Sequence, residues 1–109
     1  RGTVCIGMIT QKDFEDYHST VKDVEGFSGF LMTMKYVKVG FLIVELTDSC
    51  KISFRSKGNI KMNEFAKKFH GGGHTNAAGA TVENTDPYAL KERLLAEYEK
   101  LVSKHDKKR

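Results

Sequence analysis

The segment Phe69-His70-Gly71-Gly72-Gly73-His74-Thr75-Asn76-Ala77-Ala78-Gly79 holds the residues of this chain best suited to chemistry. Three consecutive glycines bare a run of backbone N–H donors, and His74 closes the run with an imidazole. Successive amides in a glycine turn, aimed at the start of a helix, form a concave site for an anion. Histidine at its rim adds the side-chain type that takes up a proton near neutral pH. The small residues from Thr75 to Ala78 are expected to supply the helical turn. The local reading is a pocket for a phosphate or phosphodiester, with the amides of Gly71, Gly72 and Gly73 and the His74 ring as donors.

Arg55 is the second candidate. In Cys50-Lys51-Ile52-Ser53-Phe54-Arg55, apolar and polar residues alternate, so Lys51, Ser53 and Arg55 share one face of a strand. Arg55 then leaves the strand end away from the core, just before the Ser56-Lys57-Gly58-Asn59 turn. A guanidinium fork matches phosphate oxygens bidentately. Arg55 is read as a phosphate clamp, and Lys51 and Ser53 as the floor of the same groove. The competing reading is a solvent-facing strand whose arginine pairs with a carboxylate.

Other chemistries fit poorly. The spacing His70-x-x-x-His74 suggests zinc, but three glycines break the helix that would put both rings on one face, and no third ligand is indicated. No Gly-Lys-Ser/Thr follows the glycines, so they are not a nucleotide P-loop. Neither cysteine sits where its thiol would be activated. His70 reads as a helix-end residue, and Lys67 and Lys68 as a solvated helix face.

The positioning elements follow from periodicity. Val4 to Ile9 is apolar on both faces, as is Val37 to Leu46, which suits strands inside a covered sheet. Thr47-Asp48-Ser49 is turn chemistry, so the strand from Cys50 to Arg55 should return antiparallel. Gln11 to Tyr17 reads as a short helix capped by Thr10 with Asp13 in its first turn. Val24, Phe27, Leu31 and Met34 fit a helix from Asp23, with a strand from Phe30 to Tyr36 as the competitor. Met62, Phe65, Ala66 and Phe69 mark a helix expected to end at Gly71. Gly79 to Glu83 is a strand, and Asp86-Pro87 starts a last helix with Leu90, Leu94, Tyr98 and Leu101 inward. The expected fold is one α/β (α+β) domain: a mixed sheet of four to five strands flanked by helices.

Composition agrees with one domain. The chain has 109 residues and a net charge of +4, with Lys104, Lys107, Lys108 and Arg109 crowding its end. Residues 104–109 are therefore expected to be a frayed basic tail, and the domain without them is near neutral. Cys5 and Cys50 lie in apolar strands, which points to buried reduced thiols in the cytoplasm. No apolar run has the length of a membrane span and no signal peptide is visible. No natural start precedes Arg1, so an N-terminal part is expected to be missing.

Ile52-Ser53-Phe54-Arg55-Ser56-Lys57-Gly58, a short helix, then Gly71-Gly72-Gly73-His74 and Asn76-Ala77-Ala78-Gly79 resemble the C-terminal DHH-associated domain of DHH phosphoesterases. The resemblance spans about Val4 to Val102 and is strongest to the branch that degrades very short oligoribonucleotides and dephosphorylates 3′-phosphoadenosine 5′-phosphate. It implies a substrate-binding domain over residues 1–103, with Arg55, the amides of Gly71, Gly72 and Gly73, and His74 as contacts, and Ser53, Ser56 and Asn76 as weaker ones. It also implies a preceding DHH domain holding two divalent metals, typically manganese, whose activated hydroxide attacks phosphorus. No Asp-His-His motif occurs in this chain, so its catalytic and metal residues are expected to be none, and alone it should bind nucleotides weakly and hydrolyse nothing. His70 stands where that family often has glycine or asparagine. Two relatives of the motif imply alternatives: the tRNA-presenting C-terminal domain of alanyl-tRNA synthetases, and cyclic-dinucleotide phosphodiesterases.

Overall fold

The computed structural model describes residues 3–13, 32–33 and 35–107. Five strands form one sheet: β1 (Thr3–Ile9), β2 (Val37–Glu45), β3 (Ser49–Ser56), β4 (Gly72–His74) and β5 (Ala77–Glu83). Their order is β1-β2-β3-β5-β4. β1 runs parallel to β2, and every other pair is antiparallel. The helices are α1 (Met62–Ala66), extended by a 3-10 turn over Lys67–Phe69, and α2 (Pro87–Lys107). This is the mixed sheet with flanking helices that the alternating patterns lead one to expect. Among the described residues no helix is long and apolar enough to cross a membrane.

Alternation assigns the two faces of the sheet. Val39, Phe41 and Ile43 of β2, Cys50, Ile52 and Phe54 of β3, and Ala78 and Ala80 of β5 turn towards α1 and α2 and are buried. Met62, Phe65, Ala66 and Phe69 meet them from one side of α1 and its extension, and Leu90 and Leu94 from α2. The aromatic rings interlock: Phe41 stacks on Phe65 at 5.6 Å, and Phe54 meets Phe65 edge-on at 5.8 Å. Phe69 lies 5.9 Å from both Phe54 and Phe65, while Arg93 covers it from outside at 4.6 Å. Each fully buried phenylalanine contributes about 1.5–3 kcal/mol through area removed from water. This cluster fixes α1 against β2 and β3.

The caps explain where elements begin. Asp86 Oδ1 accepts the N–H groups of Tyr88 and Ala89 at 2.9 and 3.0 Å, with Pro87 in the first helical position. Gln11, Lys12 and Asp13 are helical. Asp13 accepts from the Thr10 amide at 2.7 Å, and its own amide donates to Thr10 Oγ1 at 3.2 Å, a reciprocal cap. The Thr10 amide, and then its hydroxyl, hold the Asp13 carboxyl below the usual range.

Several expectations need correction. The helix of Met62 ends one residue early: His70, not Gly71, takes the left-handed position, at φ 60° and ψ 29°. His70 N–H donates to Lys67 O and Gly71 N–H to Ala66 O, a Schellman closure. No helical turn follows the glycines, because Gly72–His74 and Ala77–Glu83 pair as a hairpin. Cys5 is only half-buried, whereas Cys50 is fully buried with its thiol 3.5 Å from Thr85 O. Desolvation, with Glu45 and Asp86 nearby, pushes the Cys50 thiol up. The last helix continues to Lys107, so the tail begins in helical conformation. Residues 14–31 and 34 lie outside the described residues, and with them the second half of the Gln11–Tyr17 helix and most of the segment from Asp23 to Tyr36; Met32, Thr33, Lys35 and Tyr36 are in turns.

Two outcomes follow. His70→Gly should stabilise the fold by about 1 kcal/mol, since a left-handed non-glycine residue costs about that much, and thermal unfolding reads the gain. Iodoacetamide should label Cys5 in the native protein and Cys50 only after unfolding, as followed by mass spectrometry.

Candidate functional site

On the sheet face opposite the phenylalanine cluster, the strand pairings set residues in rows. Arg55 pairs with Ala77, and Ala77 with His74. One row along, Ser53 pairs with Gly79, and Gly79 with Gly72. Strands lie about 4.8 Å apart, so Arg55 and His74 flank Ala77 with Cα atoms about 10 Å from each other. Ala77 and Gly79 project at most a methyl group between them. The result is an open groove of about 390 Å³ lined by Lys51, Ser53, Arg55, Gly72, Gly73 and the Ala77–Gly79 backbone.

The glycines are there for two different reasons. A Cβ at Gly71 would stand 2.2 Å from Gly79 O, so only glycine allows the chain to leave α1 and run onto β5. Gly73 has φ 145°, and a Cβ there would lie 2.7 Å from the Ala78 Cα. A Cβ at Gly72 would meet nothing within 4 Å. By register it would stand over Gly79, on the groove face. Thus Gly71 and Gly73 serve packing, and Gly72 keeps the groove open.

The amides are therefore not a nest before a helix, for β4 is a sheet edge. Gly71 N–H is spent on Ala66 O. Along β3, Ser56 N–H donates to Asn76 O and Lys57 N–H to Lys38 O, so even positions bond towards β5 and odd ones towards β2. By the same alternation Gly72 and His74 bond to β5, and the Gly73 N–H points out from the edge.

Arg55 is held by main-chain atoms rather than by a carboxylate. Its Nη1 donates to Phe54 O at 2.9 Å and to Ala78 O at 3.2 Å, across the β3–β5 boundary. Among the described residues no acidic side chain pairs with it; Lys68 and Lys100 pair with Glu97 instead, on the far side of the core. Two neutral carbonyls thereby aim the guanidinium, with no carboxylate partner among the described residues. His74 is exposed at the end of β4 and lies outside the groove lining, on the same face.

Ser56 and Asn76 are not in the groove. Ser56 is 7% exposed, and its hydroxyl donates to Ile60 O at 2.6 Å while accepting from Asn76 Nδ2 at 3.0 Å. The Asn76 amide also reaches Gly58 O at 3.1 Å. Together with Met62 N–H to Thr75 O, these bonds tie the β3–α1 loop to the tip of the β4–β5 hairpin. They position Arg55 from behind. Ala77 and Gly79 are groove residues that the residue-by-residue reading passed over; their alternation, small at 77 and 79, was the available signal.

Among the described residues no three His, Cys, Asp or Glu side chains converge as a metal site would require.

Known proteins share this chain's sequence pattern and fold. The DHHA1 domain model matches residues 3–104. The chain is 31% identical over 98 residues to the bifunctional oligoribonuclease and PAP phosphatase NrnA of Bacillus subtilis (strain 168), covering 90% of this chain and 30% of that protein. A solved exopolyphosphatase-related protein from Bacteroides fragilis superposes with a TM-score of 0.76 at 32% identity, over 90% of this chain and 30% of that one. The C-Ala domain of Aquifex aeolicus alanyl-tRNA synthetase has a TM-score of 0.64 at 15% identity, covering 88% of this chain and 89% of that domain, a likeness of fold alone. The chain thus spans about a third of the length of the first two and, with the family model matched from the first strand into the last helix, it belongs to the DHHA1 domain family.

Proposed function

We propose that this chain is the substrate-holding domain of a metal-dependent phosphoesterase. Its groove takes the phosphate and nucleotide end of a short oligonucleotide or a nucleotide phosphate. The observation that carries the reading is the meeting of Arg55, Ser53 and the Gly72–Gly73 edge around one open, small-residue groove. The Arg55 guanidinium supplies charge, Ser53 a hydroxyl donor, and Gly73 an outward amide. Charge-assisted hydrogen bonds of this kind contribute about 1.5–3 kcal/mol each. His74 adds an imidazole from the adjoining row. The similarity to a protein named as an oligoribonuclease and PAP phosphatase supports the same ligand class.

In this reading hydrolysis belongs to a DHH domain on the N-terminal side of Arg1, where the paired metals, expected to be manganese, would reside. This chain binds and orients the substrate, which converts an encounter into a placed reactant. Alone it hydrolyses nothing. The assembled enzyme would work in the cytoplasm.

Calorimetric titration of the 109-residue chain with 3′-phosphoadenosine 5′-phosphate and with a 5′-phosphorylated diadenylate tests this. Arg55→Ala should weaken binding roughly 10- to 100-fold, in line with the loss of one charge-assisted contact, and His74→Ala should weaken it less. In the longer enzyme both changes should lower kcat/KM with metal content intact. Alanine at the glycines separates their roles. Gly71→Ala should cost about 3 kcal/mol of stability through overpacking, whereas Gly72→Ala should leave the melting temperature unchanged and weaken the ligand. Unaltered binding by Arg55→Ala, or a preference for intact tRNA over the dinucleotide, would refute the assignment.

A further inference from the structure

One residue beyond the Arg55–Ala77 row, β3 and the β4–β5 hairpin are joined twice, on the face turned away from the groove. The main chain makes the first link: Ser56 N–H donates to Asn76 O at 3.1 Å. Alternation puts Ser56 with Ile52 and Phe54, on the helix side of the sheet. The side chains make the second link. Asn76 Nδ2 donates to Ser56 Oγ at 3.0 Å and to Gly58 O at 3.1 Å, while Ser56 Oγ donates to Ile60 O at 2.6 Å. A carboxamide nitrogen has two N–H donors, and these two acceptors take both. Asn76 does not line the groove and has no donor left for a ligand.

The clamp nevertheless adjoins the two side chains that flank Ala77. Ser56 directly follows Arg55, and Asn76 follows His74 by two residues. The strand that carries His74 needs such support. β4 is three residues long, lies at the sheet edge and is exposed along its length, and two of its residues are glycines with no side chain to pack. A segment with so few buried contacts opens easily unless something else ties it down. The ties at its outer end are the bond from Met62 N–H to Thr75 O, at 2.7 Å, and the Ser56–Asn76 pair.

We propose that Asn76 is a positioning residue: its carboxamide fixes the hairpin tip against the β3–α1 loop and so holds the His74 ring at its distance from Arg55. The inference rests on the phosphate reading of the groove and adds to it the group that sets the spacing of the two walls. An anion between a guanidinium and an imidazole gains from both only when their separation is set beforehand. Otherwise the cost of ordering the hairpin is taken from the binding. Asn76 acts through His74 and touches no ligand.

Two readouts on the 109-residue chain test this. Asn76 is exposed, so alanine there opens no hole in the core. Without ligand, Asn76→Ala should speed amide hydrogen exchange at Gly72 and His74 roughly 3- to 10-fold, the scale of one hydrogen bond. In calorimetric titration with 3′-phosphoadenosine 5′-phosphate it should raise the dissociation constant roughly 3- to 10-fold. The double variant Asn76→Ala/His74→Ala should bind within about twofold of His74→Ala alone, since residues acting as a unit are not additive. Asp86→Ala uncaps α2 at the opposite end of the sheet; it should lower the melting temperature and leave the dissociation constant unchanged. Additive losses in the double variant, unchanged hairpin exchange, or wild-type affinity in Asn76→Ala each overturn the inference. So does an equal loss of affinity in Asp86→Ala, which would assign the effect to general destabilisation. All of these leave the groove reading standing, whereas a wild-type chain that binds no ligand overturns that reading and the inference with it.

Discussion

The arrangement depends on the close approach of the Gly71–Gly73 backbone to β5. α1 is clamped onto the sheet by Phe65 and Phe69 among Phe41 and Phe54, so its C-terminal end is fixed in space. From there the chain must reach the edge of the sheet at once. It does so by reversing at His70 and passing Gly79 O at a distance no Cβ tolerates. The edge strand that results forms one wall of the groove. Fold and site are thus joined by steric exclusion at two glycines, while the glycine between them faces solvent.

The other wall is positioned differently. Arg55 stays on the face its alternation dictates, and two main-chain carbonyls, one on each side of the β3–β5 boundary, hold its Nη1. Behind it, the buried Ser56 hydroxyl and the Asn76 amide lock the loop to the hairpin tip. A buried hydroxyl needs partners, because an unsatisfied one costs about 1–3 kcal/mol, and here the partners come from separate loop segments. Neutral carbonyls aim the guanidinium without cancelling its charge, as a carboxylate partner would.

Among the described residues, charge is spread unevenly along the strands. Lysines cluster where β2 starts and β3 ends, and carboxylates where the same strands turn back. With a net charge of only +4, composition gives little sign of this. The separation arises because antiparallel pairing brings sequence-distant segments of like charge to the same end.

Much of this was legible in the residues themselves. The alternation in Cys50–Arg55 placed Lys51, Ser53 and Arg55 on one face, and Asp86-Pro87 marked the start of the last helix, since both are local patterns with a single geometric outcome. The glycine run was misread for an equally local reason: three glycines and small residues are compatible with a nest before a helix or with a strand, and nothing within the segment chooses. The choice lies with α1 and β5, which approach so closely that two of the glycines are forced and the third left open. Ser56 and Asn76 likewise look like ligand donors in one dimension and become a structural bridge only when the hairpin folds back on its loop. Which side chains share a face could be read from the order of residues, because backbone periodicity belongs to each strand separately. Which backbone groups remain free for a ligand could not, because each N–H is claimed by whichever neighbour the assembled fold brings within reach.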